Sequence, residues 1–270
     1  MMASAFVVIA AGVLALVVAL VVSASARADG RDVAWIAGEV FPPAEEARVY
    51  ARYLTRHRRH RVVGGVFGAC VAVVVGVRWY GSVTVGVGNG NPAADLLLCT
   101  LSGVVLGALS AETYRLRQPR VTVASLRGRA PLPRAGVVRA SWVVTGTAIV
   151  AGALLAAAGD GTVALVAAAI GGVTVLVGQA TRRAIRDRAR PVLSDRAAHV
   201  DARMRAFAGE SVAWLQLAAA VLTAAWVASQ VPTDAGVATI AVLGGLVVVV
   251  VLLRRARPRP SRSWQPGFAA

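Results

Sequence analysis

Apolar residues in this chain come mostly in long unbroken runs. Seven windows, 4–22, 62–77, 93–111, 141–158, 162–179, 212–229 and 237–253, are almost free of charged side chains. A helix that crosses a hydrocarbon core needs roughly 17–25 mostly apolar residues, so each window predicts a membrane span. The pattern predicts an all-α fold: a polytopic bundle of seven transmembrane helices within a single domain, 1–253. A disordered cytoplasmic tail is expected over 254–270, where three prolines meet little apolar content.

Between the windows the pattern becomes amphipathic. In 43–61, Ala47, Tyr50, Ala51 and Leu54 share one helical face at i, i+3, i+4, i+7 spacing. After Ser194, a fair N-cap, Ala197, Val200, Met204 and Phe207 do the same. Each segment runs straight into an apolar window. They predict interfacial helices lying in the headgroup plane on the cytoplasmic side, with arginines facing anionic phosphates. The stretch 32–41, with Trp35 and Ile36, predicts a third interfacial piece.

Charge then orients the bundle. The net charge is +16, and all 29 basic residues are arginines. Of these, 28 fall in four segments, 27–61, 112–140, 181–211 and the tail from Arg254, with Arg78 the exception. The alternate connections, 80–92, 159–161 and 230–236, carry none. Basic loops are retained in the cytoplasm, so alternation predicts an N-out, C-in topology. Residues 1–7 carry no charged side chain, unlike a signal peptide, so the first window reads as an uncleaved helix. Arginine without lysine, among abundant Ala, Val and Gly, suggests a GC-rich bacterial genome and a multi-pass protein of the bacterial plasma membrane. The expected partners are anionic lipid headgroups at the Arg-rich loops and a cytosolic protein. Nucleic acid is not expected, because topology accounts for the positive charge.

Composition narrows the chemistry. Hydrophobic residues make up 57% of the chain and charged residues 16%, against about 45–50% and about 25% in soluble domains. Without lysine there is no Walker P-loop, no protein-kinase lysine and no Schiff-base cofactor. Cys70 and Cys99 form no CxxC pair. His57 and His60 have possible metal spacing, but arginines 56, 58, 59 and 61 surround them, so they read as a solvated basic face. The sequence around Ser211 nearly matches a nucleophile elbow, yet no histidine follows it, and Ser211 reads as an N-cap. No catalytic residue, metal ligand or cofactor is assigned.

Two intramembrane polar residues remain as weak candidates. Asp95 is the one acid well inside a window, and such carboxylates raise the hypothesis of an ion site. However, Asn91 suits an N-cap and Pro92 the first helical position, which makes Asp95 a first-turn partner of the helix dipole. Gln216 lies about one turn inside its window and reads as an interhelical hydrogen-bonding group. Small residues recur every four positions at Gly64, Gly68, Ala72 and Gly76, at Gly103, Gly107 and Ala111, and at Ala164, Ala168 and Gly172. Such stripes let helices approach closely, within the bundle or between copies in a homo-oligomer.

The resulting expectation is a non-enzymatic, permease-like or accessory subunit of a membrane complex with a cytosolic partner. The alternatives are an enzyme that modifies lipid headgroups, holding phosphates on its arginines, and a stand-alone secondary transporter coupled through Asp95.

Overall fold

The computed structural model describes residues 27–39, 41–75, 92–113, 132–159, 162–187, 195–231 and 235–256. Among them are seven helices and no strand: α1 (Gly30–Ala37), α2 (Ala44–Val75), α3 (Pro92–Thr113), α4 (Ala135–Ala157), α5 (Thr162–Asp187), α6 (Asp195–Ser229) and α7 (Ala235–Arg255). The last six apolar windows fall on α2 to α7. The first window, 4–22, and the tail beyond Ala256 lie outside the described residues.

Among the described residues three helices are long and apolar enough to cross a membrane: Ala135–Ala157, Ala164–Asp187 and Asp195–Ser229. The exposed faces of α4 and α5, and of α7 as well, fit that solvent. Val150 and Leu154 of α4, Ile170 and Val173 of α5, and Ile240 and Val247 of α7 are all exposed. A soluble monomer rarely shows contiguous apolar patches beyond a few hundred Å².

Helix α6 is the hub. It packs against α4, α5 and α7 and also touches α3 and α1. Val212, Leu215, Ala218 and Leu222 form the core with Val242, Leu246 and Val249 of α7 and Val105 and Leu109 of α3. Neighbouring helices run in opposite directions: Gly171 meets Thr223 and Gly178 meets Gln216 between α5 and α6, while Ala225 faces Gly245 and Ser211 faces Ala256 between α6 and α7.

The small-residue stripes are used inside the bundle. Helices α2 and α3 cross antiparallel on Gly64, Gly68, Gly103 and Gly107, and a Cβ at any of them would fall inside 3.0 Å of the partner's backbone. Between α4 and α5, Gly152 sits against Ala164 and Ala168. Ala72 and Ala111 are buried as well.

The amphipathic segments depart from expectation. They are not separate helices; they are the N-terminal halves of α2 and α6, each continuous with its apolar part. No proline interrupts either helix, so neither has that means of turning sharply. Their apolar faces instead find each other. Tyr50, Tyr53 and Leu54 of α2 pack with Val200 and Met204 of α6 and with Val33, Ile36 and Ala37 of α1. The result is a helical layer seated on one end of the bundle.

Local capping holds α1 in this layer. Asp29 is its N-cap and accepts from the Asp32 N–H, while the Asp32 side chain accepts from the Asp29 N–H, a reciprocal capping box. Gly38 closes the other end in the left-handed conformation (φ 69°), which side-chain-bearing residues resist.

Candidate functional site

The polar chemistry gathers at the seam between layer and bundle. The helices meet there by their Arg-rich ends. Arg61 of α2 donates to the Ala256 carbonyl after α7 and reaches Ser211 of α6 at 3.5 Å. Ser211 also donates to the Ala256 carbonyl. Arg182 of α5 donates to the Gly209 carbonyl and, at 2.9 Å, to the Pro133 carbonyl before α4. Arg134 pairs with Glu210 at 2.8 Å and stacks over Trp214. These contacts hold Arg134 at φ 65°, a conformation non-glycine residues rarely adopt.

Two buried carboxylates anchor the seam. Asp32 of α1 lies 2.6 Å from the Arg58 guanidinium, with both side chains under a tenth exposed. Arg58 also donates to the Arg27 carbonyl. Glu112, at the end of α3, accepts from the Tyr53 hydroxyl at 2.5 Å. His57 Nε2 sits 3.2 Å from the same Glu112 oxygen, within ion-pair range but without hydrogen-bond alignment. Trp35, Tyr53 and His57 stand edge-on to Phe207 and shut water out of this pocket. Burial drives His57 below its ordinary titration value; Glu112 opposes the shift, and Arg61 and Arg56 reinforce it. His57 is therefore no solvated basic face. It is fully buried, and its acidic neighbour comes from another helix.

Outside this seam runs an open groove of about 970 Å³ between α2 and α3. Its α2 wall is one stripe at i, i+4, i+7, i+11 and i+15: Arg52, Arg56, Arg59, Val63 and Phe67. The first half of the stripe is basic and the second apolar. On the α3 side stand Ser110 and Leu106. The glycine crossing brings the two backbones together and leaves these flanking side chains as walls. Ser110 donates to the Gly107 carbonyl, so its oxygen accepts from His60 Nδ1 at 2.8 Å. Partial burial, with Arg56 and Arg59 nearby, lowers the His60 titration value.

The two weak candidates lie apart from this site. Asp95 occurs on the first turn of α3; its side chain and the expected cap residue Asn91 lie outside the described residues. It is 17 residues from Glu112, about 26 Å along the helix at 1.5 Å per residue. Gln216 is fully buried on α6 against Gly178, and neither amide atom has a hydrogen-bond partner. It packs against α5, and the interhelical hydrogen bond read from the sequence is not made among the described residues.

Sequence reasoning missed Tyr53, Arg61 and Glu112. A signal for them exists: Tyr53, His57 and Arg61 continue the Tyr50–Leu54 face, and Glu112 is the only acid between Asp95 and Asp160. Among the described residues no group of three His, Cys, Asp or Glu side chains could hold a metal ion. No protein-family model, curated protein or solved structure matches the chain.

Proposed function

We infer that this chain is a non-enzymatic, permease-like or accessory subunit of a bacterial plasma-membrane complex, and that its helical layer docks a cytosolic partner. In this reading the seven apolar windows all span the bilayer, N-out and C-in, and the layer faces the cytoplasm. The carrying observation is the layer itself. Segments outside the apolar windows are folded into one unit, clamped by Asp32–Arg58 and by Arg196 between Glu39 and Glu46. Phe41, 90% exposed, and Val49 give that unit an apolar outer surface away from the windows. The basic ends of α2, α4, α5 and α6 meet on the same side, as retention of positive charge in the cytoplasm requires.

Reporter fusions and position-specific crosslinking test this reading. Fusions after Asn89 and Asp160 should be active as exported reporters, and fusions after Arg129 and Arg196 as cytoplasmic ones. Two reversed signals remove the topology. A photo-crosslinker at Phe41 or Val49, but not at Val150, should capture one stoichiometric cytosolic protein that also co-purifies in mild detergent. A chain that purifies alone and gives no position-specific adduct overturns the docking reading.

A further inference from the structure

We propose that the α2–α3 groove binds one anionic phospholipid, its phosphate held by Arg52 and Arg59 and an acyl chain lying along Val63, Phe67 and Leu106.

Charge complementarity selects the occupant. Five arginines around the layer are paired with carboxylates: Arg48 with Glu45, Arg58 with Asp32, Arg134 with Glu210, Arg196 with Glu46 and Arg205 with Asp201. Arg52 and Arg59 have no carboxylate within ion-pair distance among the described residues. They sit two turns apart on one helical face, and His60 beside them is fixed by Ser110. An anion placed here meets two cations that no carboxylate among the described residues neutralises.

The apolar half excludes a small soluble anion as the natural occupant. Phe67 is 69% exposed and Leu106 55%, and both line the same groove as the arginines. From Arg59 to Phe67 is eight residues, about 12 Å of helix. That matches one leaflet of a hydrocarbon core about 30 Å thick. The glycine crossing at Gly64, Gly103 and Gly107 forms the base, because no side chain fills the space between the walls. Charge at one end and a leaflet-length apolar trough below it describe a headgroup with its chain.

The inference rests on α2 and α3 entering the bilayer, as in the seven-span reading. The two ideas fail differently: reversed reporters remove the span, whereas loss of lipid selectivity with correct reporters removes only the site. The test is native mass spectrometry of the full chain in detergent, titrated with phosphatidylglycerol or phosphatidylcholine. One phosphatidylglycerol per chain should be retained in preference to phosphatidylcholine. At about 1 kcal/mol per arginine near an anionic headgroup, Arg52→Gln with Arg59→Gln should weaken retention roughly 30-fold. Val63→Trp, which fills the trough without touching the helix crossing, should weaken it too. Glycerol 3-phosphate, which carries the anion without the chains, should not displace the lipid. Equal retention of the two lipids, indifference to the arginine or Val63 variants, or displacement by glycerol 3-phosphate would each overturn the proposal.

Discussion

A single methyl group at Gly103 should separate two helices, while the same methyl group elsewhere should do no harm. The Cβ of Gly103→Ala would lie 2.9 Å from the Gly64 carbonyl carbon and 3.0 Å from the Gly68 Cα. It would also overlap the Gly64 carbonyl oxygen by roughly 1 Å, judged against ordinary carbon contacts. All three neighbours are backbone, so no rotamer change relieves the clash and α2 itself must move. Overpacking of this kind costs about 1–3 kcal/mol. Alanine's better helix propensity returns up to about 1 kcal/mol of that. The net expectation is a loss of up to about 2 kcal/mol, and of about 1–3 kcal/mol relative to an alanine placed where its Cβ meets nothing. Gly136→Ala and Gly146→Ala are the controls, because a Cβ there meets nothing within 4 Å. They should be neutral or gain up to about 1 kcal/mol. Thermal unfolding in detergent, followed with a thiol-reactive dye, suits the comparison because the two cysteines, Cys70 and Cys99, lie on α2 and α3. Gly103→Ala should expose them at lower temperature than wild type. A Gly103→Ala protein as stable as Gly146→Ala would refute the backbone-to-backbone crossing.

Three further outcomes are expected. Arg58→Gln strands buried Asp32 and should cost about 3–5 kcal/mol, whereas Asp32→Leu with Arg58→Met should recover most of it; thermal unfolding of all three proteins measures the difference. His57 is held neutral in the folded state while the unfolded imidazole takes up its proton near 6.5, so stability should be retained above that pH and decline as pH falls below it. Unfolding temperatures between pH 7.5 and 5.5 should show this slope, and His57→Gln should flatten it. Asp95→Asn should leave expression, assembly and stability unchanged, as size-exclusion profiles and melting curves will report, because a first-turn dipole partner contributes little.

Much of the architecture is written locally. The apolar windows name the helices, and the glycine stripes name the faces that touch, because each depends on periodicity within one helix. Tyr50, Leu54, Val200 and Met204 were legible as buried faces for the same reason. What covers those faces was not. A headgroup plane and a second amphipathic helix satisfy the same pattern, and the choice rests on contacts about 150 residues apart, such as Arg196 with Glu46. The seam was hidden by a similar logic. Arginines read along the chain look like a solvated run, yet consecutive positions on α2 point about 100° apart, which splits the run between two faces. Arg58 and Arg61 turn inward to a carboxylate and a helix end, while Arg52 and Arg59 turn outward. His57 could not be read as buried without Glu112, which α3 delivers from the far side of an apolar window.

Helix α6 belongs to two bodies at once. Its 35 residues form one rod about 52 Å long, with its first third clamped in the layer and the rest at the centre of the bundle. No joint separates the two parts, so the rod behaves as a mechanical lever with the seam as its fulcrum. A tilt of about 5° about the seam would sweep the opposite tip by about 3 Å, over the roughly 30 Å of helix from Gly209 to Ser229. Anything that grips or releases the layer would thereby be felt at the far end of the bundle without an intervening relay of side chains.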